Sequence, residues 1–245
     1  MKISLLGAEL INDGTNSSAD LYLINGVLYK IFYEDSFAYE KERNITYLIK
    51  HKPIKPNALR ILDNDDTIIG YTQEFIPNAI TFKQGIEDDN YDLKYKAVLD
   101  VFKSIKEIHK CGFIIGDVHS RNFIYNDNGG YLIDLDEIRL PKIDDHKFRD
   151  YYLVRKSNQG RVMNIENKHT DIVKATISAL SLLIGFDLED TARDESLESI
   201  KYYLDWFIKD DGIRNEIYQI FDNPNEVIYL DDILEGNNKM LIKNS

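Results

Sequence analysis

Residues 107–138, EIHKCGFIIGDVHSRNFIYNDNGGYLIDLDEI, constrain this chain more than any other stretch, because they set polar side chains among apolar runs. Asp117, His119, Asn122, Asp134 and Asp136 alternate with FII, FIY and YLI, segments that read as buried. Upstream, YKAVLDVFKSIKEIHKCG places Val98, Val101, Phe102, Ile105 and Ile108 along one helical face, and Gly112 suits the C′ position that ends the helix. Downstream, FIY and YLID flank NDNGG, which predicts a hairpin. A loop between a helix and a hairpin can aim several side chains at one place, whereas a helix scatters them around its axis. Two accounts follow. The polar residues cap and bend turns, or they converge on a cation and a phosphate.

The chain before this stretch reads as strands with one helix. MKISLLGAEL is expected to hold a first strand, since Glu9 interrupts the apolar run and no cleavage-like segment follows. DLYLI (20–24) and GVLYKIFY (26–33) are β-branched and aromatic-rich, and the intervening Asn-Gly is a hairpin signal. Residues 36–50 carry Phe37, Ile45, Leu48 and Ile49 at helical spacing. Two further strands are expected near 58–63 and 67–75. After IPN (76–78) the pattern turns helical apart from the hairpin, and from residue 170 it stays helical nearly to the end. The predicted class is α+β, with a small strand-rich lobe over 1–76 and a larger helical lobe over 77–245.

This order of motifs resembles the protein-kinase-like superfamily, whose fold is bilobal. In that family's catalytic loop an Asp is followed five positions on by an Asn, as Asp117 is by Asn122, and a second acid follows an apolar strand, as Asp134 follows YLI. The resemblance implies ATP and Mg²⁺ as cofactors, with Asn122 and Asp134 as hard oxygen ligands and Asp117 orienting and deprotonating the attacking hydroxyl. It also implies that Lys30, in VLYKIF, holds the ATP phosphates and pairs with a helix acid, Glu42 or its competitor Glu40. Gly14, Ser17 and Ser18 stand where the family has a glycine-rich phosphate-covering loop, and TQEFIP resembles the hinge, with Glu74 and Ile76 at its adenine-receiving backbone. KHTDIVKATISALSLLIG resembles the buried central helix, whose N-terminal Asp, here Asp171, hydrogen-bonds the catalytic-loop backbone; taken alone it has a sufficient explanation as a helix cap. The match spans roughly residues 10–186.

The departures bear on the acceptor. Ile115 and Gly116 precede Asp117 where protein kinases have His and Arg, so no receiver for an activating phosphate is present and Tyr151, Tyr152 and Ser157 are not assumed to be switches. Gly116 before the acid and His119 after it are closer to aminoglycoside, choline and lipopolysaccharide-core kinases. Asp134, Leu135 and Asp136 replace Asp-Phe-Gly, and no Ala-Pro-Glu segment precedes Asp171. The expected acceptor is a protein Ser or Thr hydroxyl, the alternative is a small-molecule hydroxyl, and a third reading is a pseudokinase that binds partners without catalysis. The net charge of −12 argues against broad nucleic-acid or anionic-membrane binding and suits a cationic acceptor. A single cysteine, Cys111, allows no internal disulfide and is expected as a buried thiol at a helix end. ISALSLLIGF is too short to span a bilayer, and the expected location is the cytoplasm.

Overall fold

The computed structural model describes residues 7–11, 19–33, 39–51, 59–63, 66–139, 167–194 and 197–237. The chain divides into two compact units, Met1–Asn78 with Asp134–Ile138, and Ala79–Ile133 with Arg139–Ser245. The boundary expected after residue 76 therefore falls after Asn78, and the first unit also takes back a short later segment. The architecture is α+β, strand-rich in the first unit and helical in the second.

In the first unit, β1 (Glu9–Leu10), β2 (Ala19–Ile24), β3 (Val27–Phe32), β4 (Leu59–Leu62) and β5 (Ile68–Glu74) form an antiparallel sheet in the order β1-β2-β3-β5-β4. The β2–β3 turn is Asn25-Gly26, with φ of 51° and 76°. Positive φ at both central residues matches the strand twist, and Asn and Gly are the residues that adopt it cheaply. The two-residue period of β3 then buries Leu28, Lys30 and Phe32 on one face. Helix α1 (Tyr39–His51) lays Ile45 and Leu48 into the core, where Ala19, Phe32, Ile45, Ile68 and Tyr71 cluster.

In the second unit, β6 (Ile80–Thr81) joins β7 (Phe123–Asn126) and β8 (Gly129–Leu132) in a three-stranded antiparallel sheet. Helix α2 (Tyr91–Lys110) buries the five apolar residues of its expected face to 1% exposure or less. Full burial of side chains of this size contributes roughly 1.5–3 kcal/mol each. The helix closes at Cys111, and Gly112 follows at φ 85°. Cys111 is exposed, not buried, because it caps the helix where the chain turns off the apolar face.

Helix α3 (Lys168–Ile184) is buried from Asp171 to Ile184, and α4 (Leu188–Asp194), α5 (Leu197–Phe207), α6 (Asp211–Asp222) and α7 (Leu230–Asn237) complete the unit. The cap of α3 is Asn167, in a reciprocal capping box with Thr170. Asp171 lies one turn further in and is free to serve the loop. Among the described residues no helix is long and apolar enough to cross a membrane.

Candidate functional site

In the first unit the candidate side chains meet around Lys30. Strand alternation turns it to the buried face, where Tyr71 is its register partner on β5. Its Nζ lies 2.8 Å from Asp136 Oδ1 and also donates to Asp134 Oδ1. Helix α1 presents Lys41 and Asn44 to the same segment: Lys41 Nζ is 3.3 Å from Asp136 Oδ2 and 3.4 Å from Glu137 Oε1, and Asn44 Nδ2 donates to the Asp136 carbonyl at 2.8 Å.

The expected ion pair of Lys30 with Glu42 is not formed; among the described residues its carboxylate partners are Asp134 and Asp136. The reason is helix phase. Lys41 and Asn44, three residues apart, share the face turned to Asp136, and Glu42 is rotated about 100° away from Lys41. The side chain of Glu40 lies outside the described residues. Asp136 is 1% exposed, so it is no solubilising strand-end acid.

The electrostatics follow from the crowding. Burial works against the charge of Lys30, but Tyr71, Asp136 and Asp134 outweigh it and raise its pKa well above the lysine range. Burial, with Asp136 adding to it, pushes the Asp134 carboxyl up to about 6 against the pull of Lys30. Asp136 moves the other way: burial opposes its charge, yet Lys30, a hydrogen bond from Asp134 and Lys41 hold it well below the carboxylate range. Asp134 has φ 60°, a backbone state that costs an L-residue of order 1–3 kcal/mol.

In the second unit the loop after α2 carries the other candidate residues. Gly116 takes φ 78°, which an L side chain would strain, and Asp117 follows directly. Asn122 Nδ2 donates to the Asp117 carbonyl at 3.0 Å and approaches Asp117 Oδ2 at 3.4 Å. The Asn122 carbonyl accepts from Ile133 N at 2.9 Å, tying the loop to the residue before Asp134. His119 Nδ1 accepts from Arg121 N at 3.2 Å, which leaves the proton on Nε2, 3.6 Å from Asp117 Oδ1. Burial raises the Asp117 pKa, but His119, Lys174 and Asn122 together bring it below the usual range.

Beneath this loop stands Asp171, fully buried. Its Oδ2 accepts from Ile115 N at 2.7 Å and faces His109 Nε2 at 3.0 Å, while Oδ1 accepts from Gly116 N at 2.9 Å. Lys174, one turn on, donates to the Gly116 carbonyl at 3.0 Å. The far end of the loop is held by Glu189, which accepts from Ser120 N at 2.7 Å and Ser120 Oγ at 2.6 Å.

Glu74 closes β5, exposed, and Ile76 lies two residues beyond it, half-buried. Gly14, Ser17 and Ser18 lie outside the described residues, as do Tyr151, Tyr152 and Ser157. Lys41, Asn44, His109, Lys174 and Glu189 were invisible to sequence reasoning. Only the helix phase of Lys41 and Asn44, shared with Ile45 and Leu48, hinted that they face inward.

Magnesium with ATP asks for hard oxygen donors and a cation beside the phosphates. The Nδ2 of Asn122 is committed to Asp117, and its Oδ1 accepts no hydrogen bond among the described residues, so a neutral hard oxygen is on offer. Asp134 gives one oxygen to Lys30 and keeps 39% of its side chain exposed. Each side chain, within its own unit, offers the donor chemistry that such a group asks for. Among the described residues no three His, Cys, Asp or Glu side chains cluster as a metal site. Compared with known proteins, the chain matches no family model and no curated sequence.

Proposed function

We propose that this chain is an ATP- and magnesium-dependent phosphotransferase of the protein-kinase-like superfamily, with an alcohol oxygen as acceptor. In this reading the strand-rich unit is the nucleotide-covering lobe of a bilobal kinase fold and the helical unit carries the catalytic loop. The observation that carries it is the Asp117–Asn122 loop, whose backbone at Ile115 and Gly116 is fixed by the buried carboxylate of Asp171. A turn that needs only capping has no use for a fully buried acid beneath it. Such support is what a group held to within a fraction of an ångström requires.

The roles follow from the chemistry each side chain can do. Asp117, with its charged form favoured by its neighbours, accepts the acceptor's proton and orients the attacking oxygen. Lys30 supplies a fixed cation to the nucleotide phosphates. Asn122 Oδ1 and the Asp134 carboxylate are the proposed magnesium ligands; the ion, when bound, neutralises charge developing on the phosphate oxygens.

The acceptor proposed first is a protein Ser or Thr hydroxyl. A small-molecule hydroxyl is the second reading, favoured by the imidazole of His119 lying 3.6 Å from Asp117 where protein kinases place a lysine. One experiment tests both. Incubation with γ-labelled ATP in a cell extract, with and without magnesium, should transfer label to protein; label confined to small molecules would select the second reading. No magnesium-dependent transfer to either would reject the phosphotransferase reading.

A further inference from the structure

We infer that Asp136 is the positioning residue for Lys30, so that this chain orients its phosphate-facing lysine from the segment after β8 and not from an acid on α1. The role given to Lys30 rests on the phosphotransferase reading. The hydrogen-bonded geometry does not.

Four contacts converge on Asp136. Oδ1 takes the ammonium of Lys30 at 2.8 Å and the hydroxyl of Tyr71 at 3.4 Å; Oδ2 faces the ammonium of Lys41 at 3.3 Å; and the carbonyl takes Asn44 Nδ2 at 2.8 Å. One residue therefore joins β3, β5 and α1. It is 1% exposed, and Lys30, Lys41 and Asn44 are all below 9%. In that setting each charge is held by its partners and not by water, which fixes the direction of the Lys30 ammonium.

Asp134 cannot do the same work. It touches Lys30 through one oxygen and keeps much of its side chain exposed, so it is the acid that a metal can recruit. With Asp134 so engaged, Lys30 still faces Asp136, and Lys41 faces both Asp136 and Glu137. Lys30 then keeps one fixed partner while the other changes. Helix α1 contributes a cation and an amide where a helix acid was expected, and its grip on Lys30 is indirect, through Asp136.

The test uses the full chain and four variants: Asp136→Asn, Asp136→Glu, the charge-balanced pair Asp136→Asn with Lys41→Met, and Glu42→Gln. Melting curves identify which are folded. Two readouts are taken, magnesium-dependent ATP turnover resolved into kcat and KM, and acylation of the Lys30 amine by an amine-reactive ester, mapped by mass spectrometry. Asp136→Asn, or the charge-balanced variant if the single one does not fold, should raise Lys30 acylation at least tenfold and lower kcat/KM for ATP at least thirtyfold. Asp136→Glu should recover part of both, and Glu42→Gln should stay within twofold of wild type. Unchanged acylation of Lys30 in a folded Asp136 variant would overturn the inference, and so would an equal loss in Glu42→Gln. Absence of turnover in the wild type overturns the phosphotransferase reading alone, since the acylation arm still decides whether Asp136 holds Lys30.

Discussion

Replacing Asp171 by Ala removes the acceptor for two backbone N–H groups and one imidazole N–H in a site with no water access. A buried donor left without a partner costs about 1–3 kcal/mol, and bonds to a charged acceptor lie at the upper end. Local relaxation recovers part of the three losses, so the expected destabilisation is about 3–5 kcal/mol. For a chain of this size 1 kcal/mol corresponds to roughly 2–4 °C, which gives a fall in Tm of about 6–20 °C. A cap alone predicts less, about 0.5–2 kcal/mol, and the cap of α3 is in any case Asn167. Urea unfolding of wild type, Asp171→Ala and Asn167→Ala in parallel separates the two accounts. ATP turnover, measured well below the lower Tm, should also fall, since the loop before Asp117 loses its anchor. A loss below 1 kcal/mol in Asp171→Ala, or equal losses in the two variants, would refute the argument that this carboxylate organises the loop.

Asp117→Asn should abolish phosphoryl transfer and leave ATP·Mg²⁺ affinity within about twofold, measured by titration and turnover on one preparation; unchanged transfer would remove the catalytic assignment. Because the folded-state pKa of Asp117 is depressed, its contribution to stability is present above the unfolded value near 4 and is lost as pH falls through the lower folded value, so the stability of Asp117→Asn should fall less steeply than wild type as the pH is taken below that unfolded value. Asp134→Ala should erase the magnesium dependence of nucleotide binding, with Asn122→Ala milder because the lost ligand is neutral; retained dependence in Asp134→Ala would reassign the metal. Lys30→Met should cut turnover by at least about a hundredfold and also destabilise by about 3–5 kcal/mol, since it strips a buried pair of its cation; a loss of turnover with unchanged melting would show that Lys41 suffices to balance Asp136.

What the sequence made legible was local. Asn25-Gly26 between two alternating runs could hardly form anything but a tight hairpin, and the α2 face from Val98 to Ile108 with Gly112 behind it is one amphipathic helix with one stop. The Asp117–Asn122 contact closes within six residues. What stayed hidden depends on distant partners. Lys41 and Asp136 are 95 positions apart, and nothing in YEKERN marks Lys41 as buried, because lysine is rarely buried unless paired. The Glu42 expectation failed at the same point: residue type suggested an acid as the lysine's partner, but orientation on the helix decided which side chains reach it. The two-residue strand β6 exists only through its pairing with Tyr125 and Ile124, so no periodicity could have announced it.

The two acids that the sequence set apart, Asp117 and Asp134, stand beside unusual backbone. Gly116 precedes the first at φ 78° and the second itself holds φ 60°. Positive φ turns consecutive peptide groups away from ladder geometry, and each case is compensated nearby. At Gly116 the freed N–H groups of Ile115 and Gly116 both reach Asp171, and the Gly116 carbonyl is taken by Lys174. At Asp134 the strain is offset by Lys30 on its own side chain and by the buried contacts of Asp136 two residues on. A strained state of about 1–3 kcal/mol persists only where surrounding contacts over-determine it. At Asp134, the non-glycine case, those contacts come from α1, β3 and β5, elements laid down far from it in sequence. Lys30 serves both ends at Asp134, bonding its carboxylate and lowering its pKa, and Lys174 does so at Asp117, holding the Gly116 carbonyl and favouring the charged acid.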